Sequence, residues 1–241
     1  MGLIDATAFA KHTVKGNGAT EFLDWFTCNK LPKVGRINLT YALSSQGTTR
    51  TEYTIVRTGE DAYYLVSAGA WQAYDSDYLN KAAEDFMAKT GKLVIVQDVT
   101  TQWGVFAIAG PKSRDVLAAL TDADLTEGFP WLSVREINVV GIPVRAMRLS
   151  YVGELGWELH APAADLPALF DACSFKPHHH GYPNPYLVRR VHERLGDDIT
   201  LHNTAKDIDQ DRTHFWIPQE YLHTLQHLIL CRATPDIQKI R

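Results

Sequence analysis

Apolar positions along the first two thirds of the chain recur with two different periods. In residues 18–26, Ala19, Phe22, Leu23 and Phe26 fall on one side of a 3.6-residue repeat and predict an amphipathic helix. Residues 37–43 and 52–57 alternate apolar and polar side chains and read as strands, with Gly47 in the turn between them. Residues 62–68, rich in aromatic and β-branched side chains, predict a third strand. A helix is expected over 74–89, ended by Gly91. Two more strands follow at 93–98 and 105–109. A helix then starts from Gly110-Pro111-Lys112 and runs through Leu120, and strands at 134–140, 142–150 and 157–160 complete the set. Strands arriving mostly in hairpins, with helices between them, predict an α+β fold of antiparallel sheets with packed helices.

That regularity stops near residue 173. The segment Lys176-Pro177-His178-His179-His180-Gly181-Tyr182-Pro183-Asn184-Pro185 cannot continue a helix and marks a boundary. Composition changes there too: 8 of the 10 histidines lie at or after His178, and 14 of the 16 glycines lie at or before Gly156. Two regions are therefore expected, a domain over 1–173 and a divergent or foreign tail over 174–241. The tail carries one amphipathic helix at 220–232, between Pro218 and Pro235.

Charge and composition narrow the function classes. A net charge of −4 with a pI near 6.2 offers no basic footprint for nucleic acid. No apolar run reaches the length of a membrane span, and the first residues show neither the basic nor the apolar part of a secretory signal. Cys28, Cys173 and Cys231 are odd in number and far apart, which fits reduced thiols in an intracellular protein, cytoplasmic or in an organelle matrix. Three consecutive histidines cannot all face one ion from a regular element. His223 and His227, four apart, lack the glutamate of a zinc protease motif, so no metal site is expected. Gly110-Pro111-Lys112 lacks the spacing of a phosphate loop.

Several segments together carry a resemblance. Asp5-Ala6-Thr7-Ala8-Phe9-Ala10-Lys11 and Gly16-Asn17-Gly18-Ala19, followed by the 47–57 hairpin and Tyr63-Tyr64-Leu65-Val66-Ser67-Ala68-Gly69-Ala70, resemble the glycine-cleavage aminomethyltransferase family. Asn29-Lys30-Leu31-Pro32-Lys33-Val34-Gly35-Arg36 is similar to its dimethylglycine and sarcosine dehydrogenase branch. The most specific segments are Ala107-Ile108-Ala109-Gly110-Pro111-Lys112-Ser113 and Leu149-Ser150-Tyr151-Val152-Gly153-Glu154-Leu155-Gly156-Trp157-Glu158-Leu159.

The resemblance implies a tetrahydrofolate-dependent one-carbon transfer domain acting on a small amine-derived donor. It implies Glu158 as the carboxylate gripping the aminopyrimidine edge of the pteridine, with Tyr151, Ser67 and Tyr64 lining the folate pocket. It implies Glu52 as the catalytic carboxylate, at a position where the family carries aspartate. Taken alone, Glu52 reads more readily as a solvated strand residue, and Tyr151 as a half-buried strand aromatic with its hydroxyl at the rim. The branch implies an FAD-containing dehydrogenase partner, because no glycine-rich FAD fingerprint precedes Asp5. The Arg-Leu-Glu-x-Gly segment of relatives is not recognisable in residues 174–241. A non-catalytic folate-binding relative and an inactive truncated fragment remain the alternatives, so whether the chain is an enzyme stays open at this point.

Overall fold

The computed structural model describes residues 1–174. The expected helix at 220–232 and the histidine-rich segment lie outside the described residues. Fourteen main elements follow one another in the described chain: β1 (Gly2–Asp5), β2 (Ala10–Lys15), α1 (Ala19–Phe26), β3 (Ile37–Leu43), β4 (Thr49–Gly59), β5 (Ala62–Ser67), α2 (Gln72–Thr90), β6 (Ile95–Asp98), β7 (Trp103–Ala109), α3 (Ser113–Leu120), β8 (Val134–Val139), β9 (Ile142–Met147), β10 (Gly156–Pro162) and α4 (Leu166–Ser174). The strands form two five-stranded sheets, ordered β3-β4-β5-β2-β6 and β1-β7-β10-β9-β8. Every pairing is antiparallel, so the α+β expectation holds.

Each sheet buries one face under helices. On the first, Val14, Tyr53, Ile55, Tyr63 and Leu65 pack against Phe22, Leu23 and Phe26 of α1 and Leu79, Ala83 and Phe86 of α2. On the second, Phe106, Ile108, Ala146, Trp157 and Leu159 pack against Leu117 and Leu120 of α3 and Leu169 of α4. Successive strand residues alternate faces, so the remaining faces meet each other. Ile37, Val56, Tyr64 and Val66 from the first sheet form one cluster with Val134 and Met147 from the second. This inter-sheet seam is where the polar groups below collect.

Local sequence explains several boundaries. α2 ends where Gly91 takes a left-handed φ of 69° and returns its N–H to the Met87 carbonyl, a glycine cap. The β8–β9 hairpin turns on Val140 and Gly141, with φ of 47° and 91°. Two positive φ values suit a primed two-residue turn, but a β-branched side chain is strained there. Val140→Asn is therefore expected to raise stability by about 1 kcal/mol, read as a higher urea midpoint with an unchanged slope. An unchanged or lower midpoint would show that the turn carries no such strain.

A buried polar cluster lies beneath the first turn of α2. Asp75 has no exposure, and the Ser67 hydroxyl donates to its Oδ2 at 2.5 Å. His12, also fully buried, holds Ser76 Oγ with its Nε2 at 2.8 Å. Asp75 Oδ1, Tyr53 Oη and His12 Nδ1 have no partner. Burial raises the Asp75 carboxyl above its ordinary 3.8, against the opposing hydrogen bond of Ser67 and the nearby charge of His12. A folded-state value above the unfolded one means that the folded chain holds a proton the unfolded chain has lost. Its stabilisation is complete below 3.8 and falls away as pH rises through the folded value. Asp75→Asn should remove that fall. The wild-type-minus-variant stability, followed by urea unfolding, should decline as pH is raised from about 4 to 7. A flat difference would mean that Asp75 is ionised at both ends.

Candidate functional site

The seam is polar at its centre because β10 sends alternate residues to opposite sides. Trp157, Leu159 and Ala161 enter the helix-covered core, and Glu158 and His160 face the first sheet. His160 is fully buried, and Glu158 is 3% exposed. Tyr64 of β5, itself buried, reaches His160 Nδ1 at 3.0 Å, and His160 Nε2 stands 3.2 Å from Glu158 Oε2. Three residues from two sheets thus form one chain of hydrogen bonds.

The direction of that chain follows from burial. Desolvation lowers the His160 pKa, against the pull of the Glu158 carboxylate, so the imidazole is neutral near pH 7. A neutral imidazole donates from one nitrogen only. Nε2–H donates to the carboxylate, and Nδ1 accepts from the Tyr64 hydroxyl, whose own proton burial holds more tightly than usual. The second Glu158 oxygen accepts no hydrogen bond among the described residues. Arg145 of β9 closes one side, with its guanidinium 4.7 Å from the Tyr64 ring centre and 4.9 Å from that of Trp103, while its Nε donates to Glu136 at 2.6 Å.

Lys11 lines the same face of β2, fully buried, and its ammonium donates to the carbonyls of Thr7 (2.9 Å), Phe9 (2.8 Å) and Thr100 (3.3 Å). Burial lowers its pKa to about 8. The clamp fixes the 7–9 turn, from which Phe9 packs on Tyr151 with ring centres 5.7 Å apart.

Of the residues singled out in the sequence, Glu158 and Tyr64 come together through His160. Tyr151 sits in the β9–β10 turn against Phe9, at the border of the seam cluster. Glu52 pairs across from Tyr41 on the seam side of β4, where burial and the Glu52 carboxylate together hold the Tyr41 proton. It lies about 13 Å along the strand from Val56, the partner of Tyr64. Ser67 points the other way and gives its hydroxyl to Asp75 beneath α2. Sequence reasoning missed His160, although its spacing of two from Glu158 places both on one strand face. Arg145 and Lys11 carried no comparable signal.

Comparison with known proteins bears on the family and the fold. The model of the GCVT N-terminal domain matches residues 1–184. Mitochondrial dimethylglycine dehydrogenase of Mus musculus is 34% identical over 172 residues, 71% of this chain and 19% of that protein. Mitochondrial sarcosine dehydrogenase of Mus musculus is 31% identical over 191 residues, 73% of this chain and 20% of that protein. The aminomethyltransferase of Saccharopolyspora erythraea is 31% identical over 203 residues, 83% of this chain and 53% of that protein. This chain thus spans about a fifth of the length of the dehydrogenases it matches. The glycine cleavage aminomethyltransferase T of Bartonella henselae shares the fold, with a TM-score of 0.63 at 23% identity over 73% of this chain and 45% of that one. Two helix-backed antiparallel sheets meeting at a polar seam, and a family match spanning most of the chain, lead to one statement: this chain belongs to the GCVT N-terminal domain family, which it shares with aminomethyltransferases and the dimethylglycine and sarcosine dehydrogenases.

Proposed function

We propose that residues 1–173 form a tetrahydrofolate-binding one-carbon transfer domain whose ligand is gripped by Glu158 at the inter-sheet seam. The observation that carries this reading is a nearly buried carboxylate with one oxygen held by His160 and the other free of any partner among the described residues. The aminopyrimidine edge of a pteridine presents adjacent N–H donors, and such a carboxylate suits them. Tetrahydrofolate, when bound, supplies the nitrogen nucleophile that takes up the one-carbon unit.

The residues of this chain do the rest. Tyr64 and His160 fix the orientation and charge of Glu158. Tyr151, braced by Phe9, forms a wall of the pocket. Glu52 stabilises positive charge on the amine-borne carbon and receives the proton lost during transfer. The hydroxyl of Ser67 is committed to Asp75, so it acts by supporting α2. A small amine-derived molecule is the one-carbon donor. The relatives named as dehydrogenases are about five times longer than the matched region. This supports an FAD-containing dehydrogenase as the unit that oxidises the amine and hands it over. Among the described residues no helix is long and apolar enough to cross a membrane.

The test is a titration of the full chain with tetrahydrofolate, followed by tryptophan fluorescence. A saturable change is expected, and a Kd weaker than about 1 mM would overturn the reading. Glu52→Gln then separates transfer from binding. Turnover, read as tetrahydrofolate-dependent release of free amine, should fall about 10²- to 10⁴-fold, with the Kd kept within about threefold. Unchanged turnover would remove Glu52 from the mechanism and leave a folate-binding domain without transferase chemistry.

A further inference from the structure

On the side of β10 opposite Glu158, hydrogen-bond donors collect with nothing to receive them. Trp157 is fully buried. The guanidinium carbon of Arg114 stands 6.0 Å from its ring centre, and that of Arg148 stands 5.7 Å away. Trp157 Nε1, Arg114 Nε and Arg148 Nε are all buried and unpartnered. Arg148 gives another N–H to the Phe129 carbonyl. Arg114 makes no hydrogen bond or ion pair among the described residues, and no described carboxylate pairs with either arginine.

Every contribution here has the same sign. Buried donors ordinarily find acceptors, and two guanidiniums sharing one indole repel each other. Desolvation and the neighbouring Arg114 charge both lower the Arg148 pKa. Arg114 also occupies the second position of α3, where the positive end of the helix dipole disfavours another cation. Both arginine side chains are half-buried, so solvent screens part of each guanidinium, but a single water at the inner Nε–H groups would accept hydrogen bonds without offsetting two like charges. An oxyanion would satisfy both needs, and the planar forks of two arginines suit carboxylate and phosphate oxygens.

We propose that Arg114, Arg148 and Trp157 form a binding site for a carboxylate or phosphate oxyanion at the amino end of α3, separate from the seam. The site is tied to the β9–β10 turn, because Gly110 N–H and the Ser113 hydroxyl both donate to the Leu155 carbonyl, at 2.8 and 2.9 Å. That turn carries Tyr151, and Trp157 adjoins Glu158 in the strand. A bound oxyanion therefore braces both flanks of the seam without entering it. This assignment does not depend on what the seam binds.

The full chain is titrated with inorganic phosphate and, separately, with acetate, each against sodium chloride at constant ionic strength. Thermal midpoint and tryptophan fluorescence are followed. A saturable rise in midpoint is expected with at least one of the two anions. A response to phosphate alone assigns a phosphate group as the ligand chemistry, and a response to acetate alone assigns a carboxylate. Arg114→Met and Arg148→Met should each weaken the response at least about tenfold, the scale of one charge-assisted hydrogen bond. Lys112→Met, at an exposed lysine beside the site, should leave it unchanged. Arg114→Lys keeps the charge and loses the fork, and it should retain a weaker saturable response if the methionine variant fails to fold. No saturable response to either anion, or one equally strong in Arg114→Met, would overturn the proposal and leave ordered water as the partner of these donors.

Discussion

Glu158→Gln is expected to weaken tetrahydrofolate binding by about 10- to 150-fold, the equivalent of one hydrogen bond to a charged group. The substitution is nearly isosteric, so its amide oxygen can still accept the His160 Nε2–H that now bonds Oε2 at 3.2 Å. What changes is the free position. A carboxylate oxygen that accepts an N–H becomes an amide NH₂ that opposes one, in a place only 3% exposed, where the mismatch is weakly screened. Stability should move the other way. Removing a buried negative charge whose histidine partner is neutral takes away a desolvation cost, so the thermal midpoint should hold or rise. Fluorescence titration and a thermal scan on the same variant check both halves. An unchanged Kd would dismiss Glu158 as the grip, and a collapsed midpoint would show that its charge is needed for the fold instead.

Gly69→Ala should be the most damaging single methyl in the described chain, costing about 3 kcal/mol and lowering the midpoint by roughly 10 °C. Gly69 lies in the tight turn between β5 and α2, where a Cβ would stand 1.8 Å from the Ala8 carbonyl oxygen and 2.9 Å from its carbon. These are backbone atoms, so no rotamer change can relieve the contact. The turn bearing Ala8 must move, and with it go Phe9, its tilted ring contact with Tyr151 and the carbonyls that hold Lys11. Loss of stability and loss of folate binding should therefore arrive together. Gly59→Ala is the control, since its nearest contact is the Ala62 methyl at an ordinary 3.4 Å, and it should stay within about 0.5 kcal/mol. Equal midpoints for the two variants would refute the packing argument.

Much of this architecture is legible in the residues, and the gaps have physical causes. β3 matches its expected range of 37–43, and α2 ends at the glycine that local sequence nominates. β1 and β2 escape notice. β2 reads Ala-Lys-His-Thr-Val-Lys, and its buried positions include a lysine and a histidine. Tertiary partners satisfy these polar groups, namely three carbonyls for Lys11 and Ser76 for His12, and no periodicity in the sequence can announce them. α4 is hidden by Pro167 near its start, a position that tolerates proline but blurs a helical pattern. The site divides in the same way. Glu158 stands out within a dense motif, but its link to Tyr64 runs through His160, 96 residues from that tyrosine, and exists only once two sheets are stacked. Ser67 and Tyr64 sit three apart on one strand, and strand alternation alone places them on opposite faces.

The alternation within β10 also bears on how the protein can go wrong. A one-residue slip of this strand against β7 would carry the carboxylate and imidazole into the helix-covered core and push the indole into the seam. Such an error would be penalised on both faces at once, so mispaired forms of the strand should be short-lived. A chain that has aligned β10 has, by the same event, set Glu158 and His160 side by side on one face, and only the docking of the first sheet, which brings Tyr64, is left to complete the candidate grip. Recovery of ligand binding during refolding should then track the stacking of the two sheets and not lag behind it.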